Sequence, residues 1–308
     1  MKYFDCHCDT LTRLANEGGN LRKNQINLDL ERIGNQFSGY GQIFALWTDV
    51  KSIKGSLEED FMKMYRKALA LIEEQKEEIT LCKSADDLEN AWREGKKAAF
   101  LSVEDASYMG AAIENAKELG IRFVLPVWNY ENEYGYGAAA DNKKGLKPAG
   151  IELIQKLEEQ EIVIDVSHLS EGGFYDVCEK TKRPFMASHS NARSYCDNVR
   201  NLTDDQIRIL IQKEGFMGLN LYREFLGDDS CSLEQILFHA EHVLELGGEK
   251  ILGFGSDFDG CGDTFPHGIT GTESMEKIVE LFLRHNYSED LVKDIFYRNA
   301  EQFLKRVL

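Results

Sequence analysis

An α/β architecture, eight parallel strands alternating with helices and closed into a (β/α)8 barrel, is what the sequence predicts. Three observations predict it. Eight short apolar runs recur along the 308 residues, helix-like stretches separate them, and the polar residues able to do chemistry gather at the C-terminal ends of the runs. Most runs are near-continuous in apolar character rather than alternating, as parallel strands covered on both faces require. A doubly wound open sheet is the alternative, and periodicity alone does not choose between them.

The runs are KYFDCHCD (2–9), GQIFALW (41–47), AAFLSVE (98–104), IRFVLPVW (121–128), IVIDVSH (162–168), PFMASHS (184–190), GFMGLNL (215–221) and KILGFGSDF (250–258). Between them, 57–79 reads as a helix with Phe61, Tyr65, Ala68, Leu69 and Ile72 on one face. The charge run 73–78 is its solvated end. Segment 146–160 places Leu146, Ile151, Ile154 and Leu157 at helical spacing. Segment 203–213 opens with Thr203 and carries Gln206 three residues on, a capping-box pattern. Segments 232–247 and 288–306 are amphipathic helices. Four prolines and no Ser/Gly-rich hinge leave no visible boundary, so one domain is expected.

Composition narrows the function. The formal charge is −17, whose field repels nucleic acids and anionic membranes. With 43% hydrophobic residues the chain can bury a large core. No apolar run approaches the roughly 20 residues of a membrane helix, and MKYFDCHCDT reads as no secretory signal. Seven scattered cysteines read as reduced thiols in a cytoplasm.

His7 and Asp9 lie two apart and share one face of the first strand, while Cys6 and Cys8 point to the helix layer as small buried side chains. Glu104 ends an apolar strand, a costly place for a carboxylate unless it is paired or holds a metal. His168 and His189 end two consecutive strands. Asp257 ends the last, with Asp259 a competitor for its role. His239, His242, His267 and His285 fall in helices or loops and read as structural or solvated. Gly253, Gly255 and Gly260 permit tight turning and close approach but form no phosphate loop. Each residue alone has an ordinary structural explanation. Together they supply His-x-Asp, Glu, His, His and Asp, about what two metals bridged by a carboxylate require.

In order and context these motifs, from DCHCD to GSDFDG and the RNAEQFLKRVL tail, resemble the renal (membrane) dipeptidase family of zinc metallopeptidases, amidohydrolase-type TIM barrels. The resemblance spans nearly the whole chain and implies one hydrolase domain, 1–308. It implies that His7, Asp9 and a bridging Glu104 bind one zinc, and that Glu104, His168 and His189 bind a second. It implies that Asp257 is the general acid/base, and that Arg200 in NVRNLTDD and Tyr222 in GLNLYREF contact a dipeptide substrate. A homodimer is suggested by resemblance alone. One position departs: Trp128 stands where many of these dipeptidases carry a His that stabilises the reacting carbonyl. Trp offers one N–H donor and cannot become cationic. Competing expectations are another amidohydrolase-type reaction (deacylase, lactonase or phosphoesterase) and a non-catalytic metal-binding barrel.

Overall fold

In the computed structural model, which describes residues 1–34, 36–262 and 264–308, strands and helices alternate around one parallel sheet. The strands are β1 (Lys2–Cys8), β2 (Gly39–Trp47), β3 (Ile79–Leu81), β4 (Lys97–Glu104), β5 (Ile121–Leu125), β6 (Val163–Ile164), β7 (Met186–Ala187), β8 (Phe216–Leu219) and β9 (Leu252–Phe254). Their order is β6-β5-β4-β2-β1-β9-β8-β7. A parallel bridge between Asp165 and Met186 joins β6 to β7 and brings the two ends of the sheet together. The barrel of eight parallel strands is therefore the predicted one, and the open-sheet alternative falls.

The additional strand, β3, corrects one expectation. The helix read over 57–79 ends at Glu73, and Ile79–Leu81 is a strand. Its place follows from the register of β4. Lys97–Ala99 pair with β3, whereas Leu101–Glu104 pair with β5. β5 begins too late to cover the start of β4, and the apolar Ile-Thr-Leu segment satisfies those backbone groups instead.

Other helices form where expected, at Pro148–Glu159, Asp204–Gln212 and Leu233–Glu245. Thr203 and Gln206 make the full capping box. The C-terminal helix is interrupted by a wide turn at Asp294–Arg298, between Glu289–Lys293 and Asn299–Val307. No helix among the described residues is long and apolar enough to cross a membrane.

At the N-terminal end the barrel is plugged by aromatic rings. Phe4 lies 6.0 Å, centroid to centroid, from Phe100, and Phe100 lies 6.2 Å from Phe123, with Met186 and Phe216 buried in the same cluster. Such packing closes the bottom and leaves the C-terminal mouth for polar residues. The ladders there are shorter than the apolar runs. β6, β7 and β9 stop before His168, His189 and Asp257, so these side chains sit on irregular backbone just past the last ladder bonds.

Candidate metal centre

The strand order determines how the polar residues meet. His7 lies on β1 and Asp9 just past its end, and Asp257 follows the neighbouring β9. His168 and His189 follow the neighbouring β6 and β7. Glu104 ends β4, two strands from β1 on one side and two from β6 on the other. A carboxylate there has one oxygen for each side.

That is how Glu104 lies. Its Oε2 is 3.4 Å from His7 Nε2, while its Oε1 is 2.7 Å from His168 Nε2 and 3.9 Å from His189 Nε2. His7 Nε2 is also 3.5 Å from Asp9 Oδ2 and 3.9 Å from Asp257 Oδ1. Metal-ligating atoms of His7, Glu104 and His189 lie within 4.8 Å of one another, as do those of His7, Asp9 and Asp257.

Asp257 reaches this cluster through backbone pairing that continues past β9. Its N–H donates to the His7 carbonyl, and the Asp9 N–H donates to the Phe258 carbonyl. Asp257 has φ +62°, a left-handed conformation that non-glycine residues rarely hold and that recurs at functional sites. Gly260 keeps the space clear: a Cβ there would lie 2.3 Å from Asp257 Oδ1 and 2.4 Å from Asp9 Oδ2. Asp259, the competitor, is turned to other work. It accepts from Thr10 Oγ1 and the Asn27 N–H.

The donor set fits divalent cations. His7 Nδ1 and Nε2 and Asp9 Oδ1 are buried without a hydrogen-bond partner among the described residues. Buried polar atoms are rarely left so, and a cation would satisfy Nε2 and the carboxylate together. His168 Nε2 and His189 Nε2 face each other at 2.9 Å. Their Nδ1 atoms are engaged elsewhere, with Asn129 Oδ1 at 2.9 Å and Ser188 Oγ at 2.7 Å. This is how ligating histidines are usually oriented.

Electrostatics follow burial and the shared carboxylates. Burial, reinforced by the Arg200 charge, pushes His168 down to about 4 against the pull of Glu104. Burial and the neighbouring His7 hold His189 well below its ordinary value. On His7, burial is outweighed by Glu104 and Asp9, which hold it well above. Burial would raise Glu104, but His7 and His168 overcome it and keep it ionised. Asp257 is pushed up to about 7, by burial first and then by Asp9 and Glu104, with His7 opposing.

A cavity of about 460 Å³ opens over the cluster. Its wall includes Asp9, Glu104, His168 and Asp257, with Trp47, Trp128, Tyr222 and Phe225 around them. The Trp47 and Trp128 rings are 4.9 Å apart. Arg200 is buried beside the cavity, its guanidinium 5.3 Å over the Phe225 ring, and among the described residues none partners its three nitrogens. Burial lowers it to about 10, less than it would without Asp257 and Glu104.

Every sequence-predicted site residue thus lies in or against one pocket. The sequence missed Asn129, which orients His168, and Asn220, whose Nδ2 donates to Asp257 Oδ2 at 3.1 Å. Both are polar residues at strand ends, the signal that found the others, but an Asn there has no chemistry of its own to announce. His239 is structural as expected: its Nδ1 accepts from the Ala192 N–H and its Nε2 meets the Leu226 carbonyl.

Comparison with known proteins points to one family. The profile of the family described as membrane dipeptidase (Peptidase family M19) matches residues 1–307. An uncharacterized protein in the pqqA 5' region of Klebsiella pneumoniae is 31% identical over 244 residues, 74% of this chain and 89% of that protein. A metallo peptidase from Rhodobacter sphaeroides, liganded with a phosphinate mimic of the dipeptide L-Ala-D-Ala, superposes with a TM-score of 0.91 at 26% identity, covering 100% of this chain and 99% of that one. Dipeptidase AC, a family M19 metallo peptidase, does so with a TM-score of 0.90 at 27% identity, covering 100% and 98%.

Proposed function

Since the chain belongs to the membrane dipeptidase family, peptidase family M19, and is a metallo-dipeptidase, we propose that it hydrolyses free dipeptides with two zinc ions bridged by Glu104. His7, Asp9 and Glu104 would hold one ion; Glu104, His168 and His189 would hold the other. The observation that carries this reading is the division of Glu104, one oxygen toward His7 and the other toward His168 and His189. Bound there, the cations would lower the pKa of a shared water and polarise the scissile carbonyl. His and carboxylate ligands suit zinc and also admit manganese or cobalt.

The chain's own residues supply the rest. Asp257 takes the proton of the attacking water on a carboxylate oxygen and returns it to the leaving amine. Asn220 holds the other oxygen and so aims the first. Arg200 pairs with the substrate's terminal carboxylate, for which a planar guanidinium is well matched. A single buried cation for one free carboxylate favours dipeptides over longer peptides. Tyr222 and Trp128 shape the walls around the substrate.

Trp128 is also the observation favouring a second reading, another amidohydrolase-type hydrolysis on the same metals. Its one N–H is a weaker stabiliser of a developing oxyanion than a cationic His. Activity on acylated amino acids, lactones and phosphoesters in place of dipeptides would select that reading.

Glu104→Ala tests the bridge. It should lower metal content from about two ions per chain to one or none, read by elemental analysis of purified protein. Two retained ions would refute the bridging role.

A further inference from the structure

Asp165 is a buried carboxylate inside the barrel that the hydrolysis above does not use. It lies at the bridge joining β6 to β7. One of its oxygens, Oδ1, accepts three hydrogen bonds: from the Ser167 N–H at 3.0 Å, the Ser188 N–H at 3.0 Å and Ser167 Oγ at 2.7 Å. Ser167 Oγ lies 3.2 Å from Ser188 Oγ, and Ser188 Oγ lies 2.7 Å from His189 Nδ1. A line of hydrogen bonds therefore runs from Asp165 through two hydroxyls to the imidazole.

The direction of that line follows from its end. Oδ1 is an acceptor, because two backbone N–H groups already point at it. Ser167 must spend its single proton there, so its oxygen can only accept from Ser188. Ser188 then spends its proton on Ser167, and its oxygen can only accept from His189 Nδ1. The ring is left with its proton on Nδ1 and its lone pair on Nε2, the atom that faces Glu104 and His168. A serine alone beside Nδ1 would not do this, because a free hydroxyl rotates and can donate as readily as accept.

We propose that Asp165, through Ser167 and Ser188, is a positioning residue that selects the Nδ1-protonated tautomer of His189 and keeps Nε2 free for a metal ion. This rests on His189 being a metal ligand. A purely structural Asp165, closing the seam between β6 and β7, would affect the melting temperature without affecting the tautomer.

Long-range proton–nitrogen spectra of the metal-stripped, 15N-histidine-labelled protein read the tautomer directly. The expected wild-type result is His189 protonated at Nδ1; protonation at Nε2 overturns the proposal and needs no variant. Ser188→Ala should give mixed tautomers and raise the dissociation constant of one of the two ions by about 10–100-fold, measured by chelator competition. Ser167→Ala, which separates Ser188 from Asp165, should act in the same direction and serves if Ser188→Ala does not fold. His189→Ala is the control. If it loses an ion while both serine variants keep wild-type metal affinity, the proposal falls alone. If His189→Ala holds both ions as tightly as wild type, the ligand role of His189 falls and takes the proposal with it.

Discussion

Asp257→Asn should retain both metal ions and lose about two to four orders of magnitude in kcat, the usual contribution of a positioned acid/base. The substitution is close to isosteric and suits the backbone, since Asn tolerates the positive φ that residue 257 adopts. An amide oxygen can still accept from Asn220 Nδ2. What disappears is the ability to carry a proton between water and leaving amine. Elemental analysis beside steady-state kinetics separates the roles. Unchanged kcat would remove Asp257 from the chemistry. Loss of an ion would make it a ligand, as its place beside His7 and Asp9 permits.

Arg200→Met should separate stability from activity in the opposite sense to most core substitutions. The guanidinium is buried, among the described residues none partners its three nitrogens, and it lies over the Phe225 ring. Burying a charge without a partner is costly, and replacing it by an apolar side chain of similar length is neutral or stabilising. The melting temperature should stay level or rise. A charge pair lost to substrate costs about 2–5 kcal/mol, so kcat/KM for dipeptides should fall by roughly 30- to 5,000-fold. The sharper readout is the dipeptide amide, which lacks the terminal carboxylate. Wild type should prefer the free acid strongly, and the variant should hardly distinguish the two. An undiminished preference in Arg200→Met would place the carboxylate elsewhere.

The barrel was legible because its strands are buried on both faces and read as unbroken apolar runs, and because His7, Glu104, His168 and His189 interrupt those runs where they end. Pairing was not legible. Ile79–Leu81 is a strand only because β5 leaves the start of β4 uncovered, a fact of register between segments distant in sequence. Asp165 sits in the middle of IVIDVSH, where apolar counting passes over it; its partners Ser167 and Ser188 follow two different strands, and only their juxtaposition shows the line to His189. Asn129 and Asn220 were missed for the same reason: each works by orienting another side chain. The residue pattern by itself left Asp259 a competitor of Asp257, which only the resemblance decided; Thr10 and Asn27 hold Asp259 away from the cluster.

Cleavage of dipeptides in this pocket rests on a carboxylate-bridged pair of metals. The measurement that tests it most directly is metal content of the purified protein together with hydrolysis of L-L and L-D dipeptides, before and after chelation. The account predicts about two zinc ions per chain and cleavage that chelation abolishes and added metal restores. Two bound ions with no dipeptide cleaved, or cleavage indifferent to chelation, would contradict it.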